Sequence, residues 1–313
     1  MNLSIPKALV LGFSAIILFS GCAKILEQLD AQIGQHSTDS NIHKSELDQI
    51  DKDISETFNE LEGAGKTNDN NQSFSSSPCG VTVDKSKLDQ KIIVFTFDGK
   101  TSCFTPSRIR SGKIIVELVS GNRWQDAGAV LKQTFVNFKI TRLSDDRKIE
   151  FNGIKTLENV NGHKWFQFFA GTTEFLYKSR ANEMKITLDD SQNATWSHAR
   201  KVSWSFVNGS TPYVEFSAQG DTTINGYDNV DSWGVNRYGK NFTTFYTQPL
   251  TSNTNCGLWR FKSGQLIHAV DKKKYTLTLG VDENGAPSNA SCPYGYEVTW
   301  EVGNKIESKV FSY

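Results

Sequence analysis

The side chains that could do chemistry are few, and no local catalytic motif contains them. The nucleophile-elbow pattern Gly-x-Ser-x-Gly and the zinc-protease pattern His-Glu-x-x-His do not occur in the sequence. The histidines after residue 79 are widely spaced, and His198, between Trp196 and Arg200, is the strongest candidate for a role. The alternative is an ordinary histidine on the surface of a strand. The sequence therefore favours a protein that is not an enzyme, and it implies no cofactor and no metal. A secreted hydrolase stays open as an alternative, because the paired carboxylates of glycoside hydrolysis need no local motif.

A turn-rich segment, residues 226–239, carries the leading candidates for ligand binding. Flat aromatic faces among directional hydrogen-bonding groups are what a sugar or a peptide requires. The candidate ligand-binding residues are Tyr227, Asp228, Asp231, Trp233, Arg237 and Tyr238. An aromatic-packed hairpin has the same composition and is the alternative. The carboxylates could also supply oxygens to calcium, but they lack the spacing of an established calcium loop, so hydrated turn residues are favoured.

The five cysteines divide into one near the N-terminus, Cys22, and four later ones, Cys79, Cys103, Cys256 and Cys292. An even number in an exported chain predicts two disulfides. A zinc site is the rival, but no Cys-x-x-Cys pair exists and no histidine lies at ligand spacing. Four cysteines allow three connectivities, and the local pairing of the first two and the last two is marginally preferred.

The first 21 residues have the pattern of a lipoprotein signal peptide. Lys7 precedes an apolar run over residues 8–19, which is too short for an ordinary spanning helix and fits the apolar core of a secretory signal. The run ends in Leu18-Phe19-Ser20-Gly21-Cys22, and small residues before a cysteine resemble the lipobox of bacterial lipoproteins. We therefore predict that Cys22 is acylated and becomes the mature N-terminus, and that palmitate labelling would detect the acyl group. The alternative is an ordinary cleaved signal with a chance cysteine.

Residues 22–62 are predicted to be a helical tether, and residues 63–78 a flexible linker. A short helix over 23–34 is followed by a polar break up to residue 41. A second helix over 44–62 has Leu47, Ile50, Ile54 and Phe58 at the helical period. The tether could be a coiled-coil or partner-binding stalk. The alternatives are a helix packed on the domain and a partly disordered spacer. The linker is rich in Gly, Asn, Asp and Ser.

Residues 79–313 have the period-two pattern of strands separated by Asn-Gly and Asp-Gly turns. The segments KIIVFTFD, SRIRSGKIIVELV and QTFVNFKITR are examples, and thirteen such strands are predicted. No long amphipathic helix separates them, which excludes a βαβ fold. The fold class is therefore mainly β, an antiparallel multi-stranded meander or sandwich-like domain preceded by the helical tether.

Several of these runs resemble an uncharacterised family of Bacteroidota β-sheet lipoproteins. The runs are FTFDGKTSC, RIRSGKIIVELV, TFVNFKI with FNGIKTLENV, TWSHAR, WGVNRYGKNFT and LWRFKSGQL, followed by TLTLG and EVTW. They cover about residues 79–302, and they are strand and turn signatures. This sequence has Phe-Asp-Gly where that family usually has Asp-Phe-Gly. The resemblance implies a β fold and an envelope location, and it implies no activity.

Charge and the predicted anchor limit the partners. Lys+Arg and Asp+Glu each number 34, and loss of residues 1–21 would remove only Lys7, which leaves a formal net charge of −1. This balance gives no reason to expect a nucleic-acid partner. We expect a lipid-anchored cell-envelope protein, at the outer membrane because residue 23 is not Asp, with the membrane as its first partner. Its expected role is a non-enzymatic binding or structural module for a glycan or envelope protein. A glycan-binding accessory lipoprotein is the alternative.

Overall fold

The computed structural model describes residues 31–63, 78–103, 107–162, 174–207, 213–257, 260–302 and 305–313. The predicted signal peptide, Cys22, most of the first predicted helix and most of the linker lie outside these ranges. Within them, no helix has the length and apolar composition needed to cross a bilayer.

One helix and a single antiparallel sheet make up the described chain. The helix is α1 (Ala31–Gly63). The strands are β1 (Val81–Asp84), β2 (Ile92–Cys103), β3 (Arg108–Ser120), β4 (Ala129–Arg142), β5 (Lys148–Asn159), β6 (Glu174–Leu188), β7 (Gln192–Val207), β8 (Tyr213–Gly220), β9 (Val230–Val235), β10 (Asn241–Asn253), β11 (Phe261–Val270), β12 (Lys273–Val281), β13 (Gly295–Val302) and β14 (Lys305–Ser312). A short 3-10 turn, Leu88–Gln90, precedes β2.

The strands follow one another in meander order, which confirms the predicted fold class and selects the meander over the sandwich-like arrangement. The one exception lies between β7 and β10, where β8 and β9 share a position in the sheet. Strand β9 pairs with residues 195–198 of β7, whereas β8 pairs with residues 200–207 of the same strand. Strand β10 lies across β8 and β9 from β7. It pairs with β9 through its first half and with β8 through its last residues.

Three details of the strand prediction are wrong. Strand β6 is a single strand with a bulge between Ala181 and Met184, whereas the sequence pattern predicted two strands, over residues 164–178 and 183–189. The Asn152-Gly153 pair lies at a bulge inside β5 and does not end it. Strands β1 and β9 were not predicted, because β1 has four residues and β9 lies within the turn-rich segment 226–239.

Glycine is needed at two positions where neighbouring strands approach each other closely. Gly112 has a φ of +91°, and a Cβ there would lie 2.1 Å from the carbonyl oxygen of Asn137 on β4. Gly234 has a φ of +142°, and its Cβ would lie 2.1 Å from the carbonyl oxygen of Thr195 on β7. Both positions require a residue without a side chain. Gly112 lies at an irregularity in strand register, and such bulges increase local bending and twist.

The helix is part of the β domain, which corrects the prediction of two helices that form a separate tether. Helix α1 is continuous through residues 34–41, the predicted break, and every described side chain from Gly34 to Leu61 is buried or half-buried. Gly, Ser and Asn in that stretch have low helix propensity. Tertiary contacts overcome this cost, since His36 packs on Phe242 and Asp39 pairs with Arg237. The alternative of a helix packed on the domain is the one observed.

The apolar face of α1 completes the main core. Leu47, Ile50, Ile54 and Phe58 are at most 5% exposed, and they pack with side chains from β2 to β7. The residues of a second cluster come mainly from β8 and β10 to β13 and include Tyr246, Tyr275, Tyr296 and Trp300. Burial of a large apolar side chain contributes about 1.5–3 kcal/mol. The helix is therefore a major source of folding energy for the sheet.

Both predicted disulfides are present, with the local connectivity. Cys79 is bonded to Cys103, and Cys256 to Cys292. The first bridge connects the chain just before β1 to the end of β2, and the second connects the loop after β10 to the loop before β13. The rival interpretation of these cysteines as a zinc site is therefore wrong.

Candidate functional site

Charged side chains of α1 meet oppositely charged side chains of the sheet along most of the helix. We call this set the helix–sheet seam. Its ion pairs are Asp39–Arg237, Lys44–Asp231, Glu46–Arg108, Asp48–Arg200, Asp51–Lys155 and Asp53–Arg110. The N–O distances of five of them are 2.6–3.0 Å. The helix contributes five carboxylates to the seam, and the β domain contributes four cations from strands and Arg237 from the β9–β10 turn, whereas Lys44 and Asp231 pair with the charges reversed. The face of the sheet that contacts the helix is therefore mainly basic, and the helix is mainly acidic.

The seam fixes the position of the helix more than it stabilises the fold. A buried ion pair roughly offsets its own desolvation, whereas loss of one partner costs about 3–5 kcal/mol because a buried charge is left alone. Arg237 illustrates the geometry, since Nε and Nη2 each donate to one oxygen of Asp39 at 2.6 Å. Such a bidentate contact fixes direction as well as distance. Rotation or sliding of α1 would break these pairs together.

Within the seam, Lys44, Arg200, Asp231 and Tyr246 form a connected four-residue node. Lys44 Nζ lies 3.0 Å from Asp231 Oδ2 and donates to Tyr246 Oη at 2.8 Å. Arg200 Nε lies 3.1 Å from Asp231 Oδ1, and its Nη1 donates to both oxygens of Asp48. Asp231 is only 1% exposed. The node joins the helix to β7, β9 and β10, and its contacts connect residues more than 150 positions apart in the sequence.

Burial and neighbouring charges change the ionisation of the seam in different directions. Burial raises the pKa of Asp39, Glu46 and Asp48, although each faces an arginine. Burial also lowers the pKa of Lys155. At Asp231 burial alone would raise the pKa, but Lys44 and Arg200 together hold it below its ordinary value. The node is therefore the part of the seam that stays charged most firmly.

Four buried histidines line the same interface, two on α1 and two on strands. The His36 ring centroid is 4.3 Å from that of Phe242, and the His43 centroid is 4.7 Å from that of Trp196. Each of these rings also lies 5.9 Å from a strand histidine, His36 from His268 and His43 from His198. Burial lowers the pKa of His36 and His43 to about 3. The rings are therefore neutral at pH 7 and pack as aromatic side chains.

His198 is buried, so its interpretation as an ordinary surface histidine is wrong. It is 2% exposed, its Nε2 is 2.9 Å from Ser179 Oγ, and burial lowers its pKa well below 6.5. In the chain as described, no group of three or more His, Cys, Asp or Glu side chains could hold a metal ion. The environment of His198 is that of a core residue in the helix–sheet interface.

The predicted ligand-binding residues of segment 226–239 do not form one surface. Two of them belong to the seam, since Asp231 pairs with Lys44 and Arg237 pairs with Asp39 and Asp189. The half-buried Trp233 lies on β9 and packs against the small cluster that contains Phe245.

The other three predicted ligand-binding residues, Tyr227, Asp228 and Tyr238, lie nearer the surface. Tyr227 stacks on Phe245 with ring centroids 4.3 Å apart, and Asp228 accepts a hydrogen bond from Thr223. Tyr238 is 39% exposed. The six candidate residues are therefore divided among the seam, the cluster at Phe245 and the surface, and a ligand site in this segment stays a prediction.

An open groove of about 600 Å³ lies at the connection between β12 and β13. Arg260 and the C-terminal Tyr313 form part of its lining, together with residues of the connection itself. Tyr294, which is 44% exposed, also lines the groove, as do the acidic residues Asp282 and Glu283. No residue of the helix–sheet seam lines this groove. Its volume is within the range of small-molecule sites, roughly 300–1,000 Å³.

Apart from Asp231 and Arg237, the seam residues were missed from the sequence, although a signal for them exists. On a strand, alternate residues face the same side, so Lys155 shares a face with Phe151 and Leu157, which are buried. Arg200 shares a face with Trp196 and His198 in the same way. A cation at an inward position predicts a buried anionic partner. The acidic residues spaced along α1 are these partners.

A scan against protein-family models and searches of curated proteins and solved structures gave no match for this chain.

Proposed function

We propose that this chain is a lipid-anchored protein of the bacterial cell envelope that works as a non-enzymatic binding module. The observation that carries the proposal is the integration of α1 into the sheet. Cys22, the predicted acylation site, precedes Ala31, the first residue of the helix, by nine positions. An acylated Cys22 would thus hold the membrane close to an element that is fixed inside the domain. The sheet would be carried near the bilayer on a short connection.

The use of the charged residues supports a role without catalysis. The carboxylates and cations of the seam form ion pairs with one another, and the four buried histidines pack against aromatic rings and side-chain hydroxyls. General acid–base catalysis needs titratable groups within reach of a substrate. The groups of the seam and the buried histidines are enclosed between helix and sheet. A binding surface must therefore be sought elsewhere on the molecule.

Acylation is tested by palmitate labelling of cells that express the full chain. Cys22→Ser should abolish the label and leave the precursor unprocessed, because the thiol is the acceptor. Ser20→Ala is the matched control, since it keeps a small residue in the lipobox and should keep the label. Label that persists in Cys22→Ser, or normal processing of an unlabelled wild-type chain, would contradict the lipoprotein proposal.

The open groove favours the second candidate, a glycan-binding accessory lipoprotein. It combines an exposed aromatic ring with donors and acceptors, which is the composition expected of a site for a polar organic ligand. The seam gives no support to this function, and the groove carries it alone.

A further inference from the structure

We infer that the groove at the β12–β13 connection binds a sugar ring of an uncharged glycan. The inference deepens the proposed binding role and rests on it. The residues that carry it are Arg260, Asp282, Glu283, Asn284, Tyr294 and Tyr313.

The walls of the groove are held in place before any ligand arrives. The Cys256–Cys292 disulfide fixes one side, because Cys292 is part of the lining. Tyr313 Oη donates to the carbonyl of Phe261 at 2.8 Å and accepts from the amide of Gly280 at 3.2 Å. These contacts attach the C-terminus to β11 and β12. A preformed site loses less conformational entropy on binding.

The turn that follows β12 supplies part of the lining, and the carboxylate of Asp282 orders it. Asp282 Oδ1 accepts from the amide of Asn284 at 2.8 Å and from the amide of Ala286 at 3.0 Å. The backbone of the same turn is closed by a hydrogen bond from the amide of Asp282 to the carbonyl of Ala286 at 2.8 Å. Asp282 is thereby largely occupied within the protein. The side chains of Glu283 and Asn284 are exposed beside it.

The chemistry of the lining selects the ligand. Tyr294 presents an apolar ring face with a polar tip, which suits a sugar ring that has C–H groups on one face and hydroxyls at its edge. Glu283 offers acceptors and Asn284 offers both donors and acceptors, as neighbouring hydroxyls require. Arg260 contributes one positive charge and the carboxylates of Asp282 and Glu283 contribute two negative charges, so the side chains of the lining have a formal net charge of −1. That charge disfavours sulfated or uronic-acid glycans, whereas the ring of Tyr294 and the hydrogen-bonding groups of Glu283 and Asn284 suit neutral ones.

The test uses the full-length chain, purified in detergent, on an array of neutral, amino and acidic oligosaccharides. Neutral glycans should bind, and Tyr294→Ala should weaken that binding by about tenfold without change in the thermal midpoint. Leu143→Ala is the control, because it truncates an apolar side chain of similar exposure, 48%, that does not line the groove. Glu283→Gln should keep binding to neutral glycans, since the amide still accepts a hydrogen bond.

Several results would overturn the inference. They are absence of binding to neutral glycans, preference for acidic or amino glycans, equal loss in Tyr294→Ala and Leu143→Ala, and binding of extended peptides alone at this groove. Palmitate labelling of the same preparation separates the two proposals. A labelled chain that binds no glycan refutes the groove and leaves the anchored module standing. An unlabelled chain that binds neutral glycans through Tyr294 refutes the anchor and leaves the groove.

Discussion

Acid should loosen this domain because its interface between helix and sheet contains neutral histidines. His36 is completely buried, and neither of its ring nitrogens has a hydrogen-bond partner among the described residues. Burial lowers its pKa from 6.5 to about 3, and the same holds for His43. In the unfolded chain both rings take up protons near pH 6.5. The unfolded state therefore binds more protons, and stability falls as the pH drops from about 6.5 towards 3.

The size of the loss follows from the two pKa values. Between pH 7 and pH 5, each ring with an unfolded pKa of 6.5 and a folded pKa of about 3 removes about 2 kcal/mol from the free energy of unfolding. The two helix histidines together remove about 4 kcal/mol, out of a total that for most domains is about 5–15 kcal/mol. His198 and His268 act in the same direction, since burial also lowers their pKa values.

Three carboxylates of the seam oppose this trend. Burial raises the pKa of Asp39, Glu46 and Asp48, so the folded state takes up their protons more readily than the unfolded state does. Their contribution grows as the pH falls. Asp231 has a lowered pKa and acts with the histidines, but its effect belongs to a lower pH range. The histidines therefore determine how stability changes with pH near 6.5, where they titrate in the unfolded chain.

The perturbation that isolates this effect is His36→Phe. Phenylalanine keeps an aromatic ring against Phe242 and Trp196, and it loses no hydrogen bond. Urea unfolding followed by tryptophan fluorescence should show a pH 7 to pH 5 loss smaller than in the wild type by about 2 kcal/mol. His36→Gln is the control, because it also removes the titration but packs less well. It should show the same reduced pH dependence, and its free energy of unfolding at pH 7 should be lower than that of His36→Phe. Equal stability of the wild type at both pH values, or an unchanged pH dependence in His36→Phe, would refute the reasoning.

Two further predictions concern the seam and the helix. Arg200→Met should destabilise the fold by about 3–5 kcal/mol, because Asp48 and Asp231 lose a buried partner. Lys240→Met, which removes an exposed ion pair, should cost less than about 1 kcal/mol, and similar costs for the two variants in urea unfolding would contradict the role of the seam. Cleavage within residues 64–77 should leave the α1 fragment bound to the sheet on gel filtration in native buffer and release it only in concentrated guanidinium. Release in native buffer would instead support the separate tether.

The fold class could be predicted because alternation and turn chemistry are local signals. Strand β3 has Ile114, Val116 and Leu118 on one face, and all three are buried as the pattern requires. Strand β9 was missed for a physical reason. Its short run, Val230–Val235, contains Asp, Ser and Gly, residues that are rare in strands. It forms because β7 and β10 both pair with it, and that information is not local.

The helix shows the same limit at the tertiary level. The helical period of its apolar residues over 47–58 could be read from the sequence, and the side chains of these apolar residues are in the core. The polar residues around them suggested a solvated face, because charged side chains on a helix are usually exposed. They are covered by strands far away in sequence, and only the pairing of inward cations with helix carboxylates could have revealed it. The groove was not predictable either, since its residues come from three separate stretches of the chain.

The composition of the seam has a further meaning for a chain with its predicted anchor at the N-terminus. Any force between membrane and domain would enter through α1. An apolar helix face alone permits sliding between similar packings, because apolar contacts have little directional preference. Ion pairs to β3, β5, β7 and β9 are directional, and displacement along the axis would separate several of them at once. The cost of such a displacement is therefore the sum of several unpaired buried charges, each about 3–5 kcal/mol. A helix whose task was only to fill the core would not need this arrangement, whereas a helix that connects an anchor to a binding domain would use it to keep the domain in one orientation.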